Sequence, residues 1–469
     1  MQDATACVRA AVTLAVAFLL IFAAYSATEN LETSVIRGEC QDCLQGDVDG
    51  ICQLGNVCQN KIHFACDDAC AAPFTECTST LGSIVLGVVY LTLTFGSFFA
   101  SAVPNYFGMK KSLFGSSTVY ALFALANLII AQYPTNQNLH WAIMIPMALL
   151  EGLAASVLWI AQASYLTQLS VVYSKFKHEP LVSSMGYFNG LFFSIFRASS
   201  ILGNTVSSFV LGYLAWSTQT LFVMFTILGS CGSALMLILP ALATASTDAE
   251  LVQLVPEKSD ENEADPHVVG FNFAGIWALL HDSRMLCLMP VIVINGLQQG
   301  FASGEFTSNV IRESLGGPSI GYVMALYGGV NVLSSYGFGR VADKFGPLVG
   351  MLLGFTAMLV AFSLCYGATL TKCDDQWALV LWIAVLLSLG DASSTTLTSV
   401  VLGQEFSADA VNAFSIFKAF QSGSAAASYF FFKYFSFHGR LSILLIMVLI
   451  ATASFLLYSK KYRRVSNAV

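Results

Sequence analysis

Apolar positions along this chain gather into long unbroken runs, and strict alternation of apolar and polar residues is rare. Twelve runs have membrane-spanning length: 8–29, 80–103, 113–132, 139–169, 182–215, 217–241, 285–306, 320–342, 347–370, 376–403, 409–436 and 439–459. A helix needs about 20 apolar residues to cross a bilayer, and only helices and closed barrels satisfy their backbone in lipid. A barrel would require segments of about ten residues with alternating polarity. The pattern predicts an all-α polytopic protein with twelve transmembrane helices, embedded in a lipid bilayer.

Composition agrees: 10% of the 469 residues are charged and 56% are apolar, against about 25% charged in soluble domains. The net charge of −7 matters more for where it sits. Much of it lies in "STDAELVQLVPEKSDENEADPH", Ser246 to His267, between the sixth and seventh windows. That stretch reads as a solvated tether or as a docking site for a basic partner. Lysine and arginine bias predicts orientation. With both termini cytoplasmic, 13 of the 21 basic residues fall inside, 6 outside and 2 within helices. The tail "KKYRR", Lys460 to Arg464, fits anchoring at anionic lipid and is too short to suggest a nucleic acid. An N-terminal six-helix half is expected at 1–241, with an extracytoplasmic cysteine-rich loop at 30–79. An acidic cytoplasmic linker at 242–284, a C-terminal half at 285–459 and a basic tail at 460–469 follow. The first window could alternatively be a cleaved signal peptide. Plasma membrane and endomembranes both suit the pattern.

The two halves can be laid over one another by their own letters. "FSIFRA" (Phe193–Ala198) returns as "FSIFKA" (Phe414–Ala419), placing Arg197 and Lys418 at corresponding sites of the fifth and eleventh windows. Between the eighth and ninth stands "GRVADKFG", with Gly339, Arg340, Asp343, Lys344 and Gly346. This is the G-x-x-x-D-[RK]-x-G signature of the major facilitator superfamily. A shift of 238 residues lands on "NYFGMKK", with Asn105, Gly108, Lys110 and Lys111. The same shift relates Gly390, Ala392 and Ser394 to Gly152, Ala154 and Ser156. Glu305 matches Glu29 at a shift of 276, the extra 38 residues equalling the span Cys40 to Cys77. The cysteine segment therefore reads as an insertion into one of two pseudo-symmetric six-helix halves. Such a duplication implies the major facilitator fold, with a central site near the midplane. Arg340, Asp343 and Lys344 are expected to tie neighbouring helix ends together in the outward-open state.

Several stretches resemble a narrower group, the uncoordinated-93 family of ion-channel regulatory proteins. In the first half these are "LWIAQASYLT" (Leu158–Thr167), "YFNGLFF" (Tyr187–Phe193) and "GNTVSSFVLG" (Gly203–Gly212). The second adds "LQQGFASGEFT" (Leu297–Thr307), "GYVMALYGGVN" (Gly321–Asn331), "LGDA" (Leu389–Ala392) and "FQSGS" (Phe420–Ser424). The resemblance implies a transporter-like fold whose members tune potassium channels or escort membrane receptors.

Charges inside the windows are the candidate chemistry. A charge at the bilayer centre costs about 2.5–3.5 kcal/mol on insertion scales, so such residues pair or line water. Arg197 heads a polar stripe with Ser200, Asn204 and Ser208 at helical spacing, which must face protein or water. Glu151 and Asp391 are its candidate counter-charges, and either could pair with Lys418. Gln162, Asn295, Gln298, Gln299 and Gln421 add polarity at similar depth, while Glu29 and Glu305 sit near one mouth of the cavity. Structural ion pairs fixing helix register are one reading. The other is a hydrated cavity in which Glu151 and Asp391 exchange a proton or bind a cation, with Arg197 as counter-charge or anion site.

Seven cysteines crowd the loop: Cys40, Cys43, Cys52, Cys58, Cys66, Cys70 and Cys77. An oxidising compartment favours disulfides; "CQDC" and "CDDAC" with His63 could also bind zinc. The odd count leaves one thiol over. No glycosylation sequon occurs. Neither a phosphate-binding Gly-rich loop, a G-x-S-x-G elbow nor an H-E-x-x-H motif is present, so neither an enzyme nor a cofactor is expected. Two functions stand open: a secondary transporter of a small solute or ion using Glu151, Arg197, Asp391 and Lys418, or a non-transporting regulatory subunit or trafficking chaperone of an ion channel or membrane receptor.

Overall fold

Short polar side chains open several of the helices. Asn136 accepts from the Leu139 amide at 3.1 Å, Ser217 from Thr220 at 3.3 Å, Asp282 from Arg284 at 2.7 Å and Ser436 from Gly439 at 3.2 Å. Each satisfies one of the amides that a helix start leaves without an intrahelical partner.

The computed structural model describes residues 4–35, 51–53, 63–65, 80–97, 99–100, 102–133, 136–178, 181–241, 273–368, 376–406 and 410–463. Among the described residues run twelve long helices. The first half holds α1 (Ala4–Val35), α2 (Thr80–Gly96), α3 (Met109–Gln132), α4 (Gln137–Lys177), α5 (Leu181–Phe196, then Ala198–Ser208) and α6 (Thr218–Met236). The second holds α7 (Ser283–Gly300), α8 (Ser319–Phe345), α9 (Pro347–Gly367), α10 (Trp377–Glu405), α11 (Ala410–Phe431) and α12 (Phe437–Tyr458). α5 ends in a π-helix, Phe209–Tyr213, and α7 continues as one over Phe301–Ile311. Within the cysteine-rich loop β1 (Ile51–Gln53) pairs antiparallel with β2 (His63–Ala65), setting Cys52 opposite Phe64. The other six loop cysteines, and the linker from 242 to 272, lie outside the described residues.

Two expected spans are interrupted. The second stops at Gly96, and a short helix, Ala102–Phe107, follows. Pro104, inside that short helix, has no amide to donate backward and cannot continue a helix entering from α2. The fifth is irregular at Arg197, although the Arg197 amide still reaches the Phe193 carbonyl at 3.0 Å.

The duplication is visible in the packing. In the first half α1 packs on α5 and α6, α2 on α4, and α3 on α4 and α6. Six helices later α7 packs on α11 and α12, α8 on α10, and α9 on α10 and α12. The halves meet along two seams that the same pseudo-symmetry exchanges, α2 against α11 and α5 against α8. Eight of the twelve helices are long and apolar enough to cross a membrane on those grounds alone: α1, α3, α4, α6, α7, α9, α10 and α12. The four that are not, α2, α5, α8 and α11, are the four that form the seams. Their polar residues answer to the opposite half rather than to lipid.

Repeated glycines serve matching turns. Gly108, before α3, has φ 84°, and Gly346, between α8 and α9, has φ 80°, a backbone region that a side chain disfavours. These two positions anchor the motif copies noted in the sequence. Elsewhere glycine permits close helix approach, as in lipid-embedded bundles generally. Any Cβ at Gly203 of α5 would overlap the Ala23 carbonyl of α1, whereas one at Gly190 meets nothing within 4 Å. Gly203→Val is therefore expected to lower thermal stability in detergent by at least the 1–3 kcal/mol or so that overpacking carries. Gly190→Ala should leave the melting midpoint near wild type.

Candidate functional site

At mid-depth the two sequence twins, Arg197 and Lys418, end one chain of hydrogen bonds. Arg197 Nη1 donates to Asn331 Oδ1 at 2.6 Å, and Asn331 Nδ2 donates onward to Asp391 Oδ2 at 2.7 Å. From the other end, Lys418 Nζ donates to Gln421 Oε1 at 3.0 Å. The Gln421 amide donates to Asn295 Oδ1, and Asn295 Nδ2 donates to Asp391 Oδ1 at 3.1 Å and to Ser394 Oγ at 2.7 Å. Thr395 Oγ1 and Gln299 Nε2 flank the same carboxylate oxygen at 3.4 and 3.5 Å. The relay draws on α5, α8, α10, α7 and α11, so only the assembled halves create it.

Its chemistry is that of an electropositive polar site. Two bases share one acid, and each base bonds an amide oxygen instead of the carboxylate itself. Asp391 also acts electrostatically on Lys418. Asn295 and Gln421 are buried, Arg197 and Asp391 are half-buried, and Lys418 is exposed.

Other singled-out residues fall elsewhere. Asn204 accepts from Asn30 of α1 at 3.0 Å, and Ser208 donates to the Pro318 carbonyl at 2.6 Å across the α5–α8 seam. Gln298 reaches the relay only through Tyr327, donating to Tyr327 Oη at 3.2 Å and to the Leu387 carbonyl at 3.1 Å, while Tyr327 in turn bonds Asp391. Gln162 is buried on α4 outside the relay. Glu305 forms an ion pair with Arg440 of α12 and accepts from Asn309 at 2.6 Å. Glu29 accepts from Tyr90 Oη at 2.6 Å. Glu151 is a correction to the sequence reading: it neighbours neither Arg197 nor Lys418, and both its oxygens are buried without a hydrogen bond. Packing explains this, because α4 turns its Glu151 face toward Tyr120 of α3 and Tyr25 of α1.

Of the repeated loop motif, the Asn105 and Asp343 side chains lie outside the described residues. Arg340 donates to Tyr336 Oη one turn back at 2.9 Å, Lys344 stacks over Phe345 at 5.2 Å, and Lys111 is exposed. Gly339 has open space where a Cβ would project.

Asn331 and Thr395 are not singled out by the sequence, though Asn331 ends a quoted motif, and Ser394 is marked there only as a repeat position. Neutral amides and hydroxyls in apolar helices carry no charge signal. A count of amides per helix face would have found Asn331.

The seams also lie to one side. From Ser208–Pro318 contacts continue down α5 and α8 to Arg197 and Ser335, 3.4 Å apart. Beyond that point Leu181–Phe196 packs on α1 and α4. The α2–α11 seam runs from Gly87 and Phe430 to Thr94 and Ser422, whose hydroxyls lie 2.7 Å apart. The π-helical part of α7 additionally packs on α1. Among the described residues the contacts between the halves thus gather on the side of the cysteine-rich loop.

Solved structures place this architecture in a class. The nucleoside transporter NupG superposes with a TM-score of 0.59 over 97% of this chain and 100% of its own, at 12% identity. The xylose transporter XylE from E. coli, in a partially occluded inward-open conformation, reaches 0.58 over 98% of each chain at 12% identity. A POT peptide transporter gives 0.62 over 96% of this chain and 94% of its own, at 11% identity. The protein is an all-helical membrane protein of the major facilitator fold.

Within that class the family model for the ion channel regulatory protein UNC-93 matches residues 75–456, and the chain belongs to that family. UNC93-like protein 3 of Arabidopsis thaliana is 28% identical over 92% of this chain and 82% of its own length. Protein unc-93 homolog A of Xenopus laevis is 25% identical over 79% and 84%. The putative potassium channel regulatory protein unc-93 of Caenorhabditis elegans is 26% identical over 77% of this chain and 48% of its own.

Asn331 alone separates the Arg197 guanidinium from the Asp391 carboxylate. Asn331→Leu is expected to lower stability by about 1–3 kcal/mol, the range for a buried charged group left without its hydrogen bond. In a thermal-melt cycle with Asp391→Asn the two changes should be non-additive by about 0.5–3 kcal/mol. Strict additivity would mean the relay is not a unit.

Proposed function

We propose that the protein is a secondary transporter that moves a small solute through a midplane site formed by Arg197, Asp391 and Lys418. The observation that carries this reading is the relay itself. A packing lock needs buried, mutually neutralised charges, whereas this site joins two bases to one acid through amides and leaves Lys418 exposed. The surplus positive charge favours a solute bearing a carboxylate or phosphate, which a guanidinium binds through paired hydrogen bonds. Orientation follows the lysine and arginine bias: the termini and linker are cytoplasmic, so the side opposite the gathered contacts faces the cytoplasm. Closure there would have to bring Leu181–Phe196 against the linker-side end of α8, while the α2–α11 and α5–α8 seams part on the other side. The Glu305–Arg440 pair lies within the C-terminal half and would ride through that exchange intact.

A second reading is favoured by one observation, the names of the family and of its C. elegans relative, which call them regulators of channels. Here the chain would be a non-transporting subunit of a channel, or an escort of a membrane receptor, with its cysteine-rich loop or acidic linker touching the partner.

One double variant separates the two. Arg197→Gln with Lys418→Gln should abolish solute flux in proteoliposomes, at least a hundredfold below wild type, while a channel that co-purifies with the wild type stays bound. Flux unchanged by the double variant would remove the transport mechanism. A stoichiometric channel in the native complex, with no flux for any solute, would establish the regulatory reading instead.

A further inference from the structure

The N-terminal half holds a second polar cluster that the relay does not use. Glu151 is fully buried on α4 with both carboxylate oxygens unpartnered. Tyr25 and Tyr120, whose rings lie 5.1 Å apart, act electrostatically on both Glu151 and Glu29. Glu29 is held by Tyr90 on α2, and one turn further along α1 Glu32 is buried beside Asn127 of α3. The Glu32 oxygens also make no hydrogen bond of ordinary geometry. Among the described residues no Lys, Arg or His side chain acts on any of these three carboxylates.

Ionised, Glu151 and Glu32 would lose their hydration without gaining a donor of ordinary geometry or a counter-charge, at several kcal/mol per group, while Glu29 keeps only the Tyr90 hydroxyl. Three together add mutual repulsion. A proton on the carboxyl removes both penalties and makes it a donor as well as an acceptor, which is also what a tyrosine hydroxyl is. A metal ion does not fit, since among the described residues no three acidic, cysteine or histidine groups converge to hold one.

We propose that Glu151, Glu32 and Glu29, with Tyr25, Tyr120 and Tyr90, form a proton-binding file from the cysteine-loop side of the N-terminal half to mid-membrane, with Glu151 as its inner end. The file's outer end abuts the seam between the halves. Tyr90 lies 5.7 Å from Tyr429 of α11, which acts in turn on Glu29 and on Glu305, the partner of Arg440. Parting the α2–α11 seam separates those two rings and opens Glu29 to water from the cysteine-loop side. In the present state the seam is shut, Glu29 is half-buried, and Glu32 and Glu151 are fully buried. The file thus loads protons in one state and holds them in the other. Coupling of the held proton to solute movement rests on the transport reading above; its binding does not.

The test is infrared absorption of the purified full-length protein in detergent at neutral pH, read at the C=O stretch of protonated carboxylic acids. Wild type is expected to show that band, and Glu151→Gln and Glu32→Gln each to lose a part of it with unchanged melting midpoints, because an amide is isosteric with a neutral acid. Absence of the band in wild type, or its survival undiminished in both variants, overturns the proposal, and the wild-type spectrum decides even if a variant fails to fold. In proteoliposomes Glu151→Gln should retain solute exchange and lose accumulation driven by a pH gradient. A wild-type band without flux of any solute supports the file and removes only the transport reading.

Discussion

Everything polar in this protein's interior is organised by one constraint: a charge or amide at membrane depth has to find its partner on another helix, because lipid supplies none. Asp391 is where that constraint is met most fully. It gathers amides from Asn295, Asn331 and Gln299, and through them two bases, Arg197 by way of Asn331 and Lys418 by way of Gln421 and Asn295. Remove the carboxylate from this picture and the polar faces of α5, α7, α8 and α11 have no common acceptor. The site and the joint between the halves are therefore the same object, and a change in one is a change in the other.

The seams express the same physics along their length. Helices with lipid on one side are apolar and long; the four at the seams are short, broken or polar. Their backbones come close because small residues line them. Gly321 of α8 leaves no room for a Cβ against the Asn204 carbonyl, and Gly328 would set one 2.9 Å from the Ser200 hydroxyl. Contacts of this kind are directional, and beside them one apolar cluster runs across the halves, from Ala24, Ala27 and Leu31 of α1 to Phe301, Phe306 and Val310 beyond α7. The Arg284 guanidinium, tied to Asp282 and Glu405 and stacked 4.8 Å over Phe406, instead stitches α7 to α10 within the second half. Because the guanidinium hydrogen-bonds it, the Asp282 carboxyl is held below the usual carboxylate range.

What was legible in the letters depended on whether a residue's signal was local. Arg197 and Lys418 stood out because a charge in an apolar run is conspicuous at any position, and the repeated hexapeptide put them at matching sites. Gly108 and Gly346 stood out because a positive-φ turn accepts few other residues. Asn331 and Thr395 did not, since an amide or hydroxyl costs an apolar helix little and could face anywhere. Glu151 was visible as a buried charge but was assigned to the wrong neighbourhood. Helical periodicity gives the face a residue occupies, not the helix that face meets. Glu32 was passed over altogether, being read as part of a loop boundary when α1 carries it well inside.

The sequence by itself determined the solvent, the number of crossings and the duplication, because each is written in composition, run length and repeat spacing. Those quantities are sums over local preferences and survive any arrangement of the helices. It took the folded bundle to decide that the twins Arg197 and Lys418 meet through a single carboxylate, that Glu151 is left with tyrosines and other acids, and that the described halves touch on the cysteine-loop side. Each of these depends on which faces of separate helices come into contact. In a membrane that choice is made by small-residue fit and polar pairing across helices, terms that no single window of the chain contains.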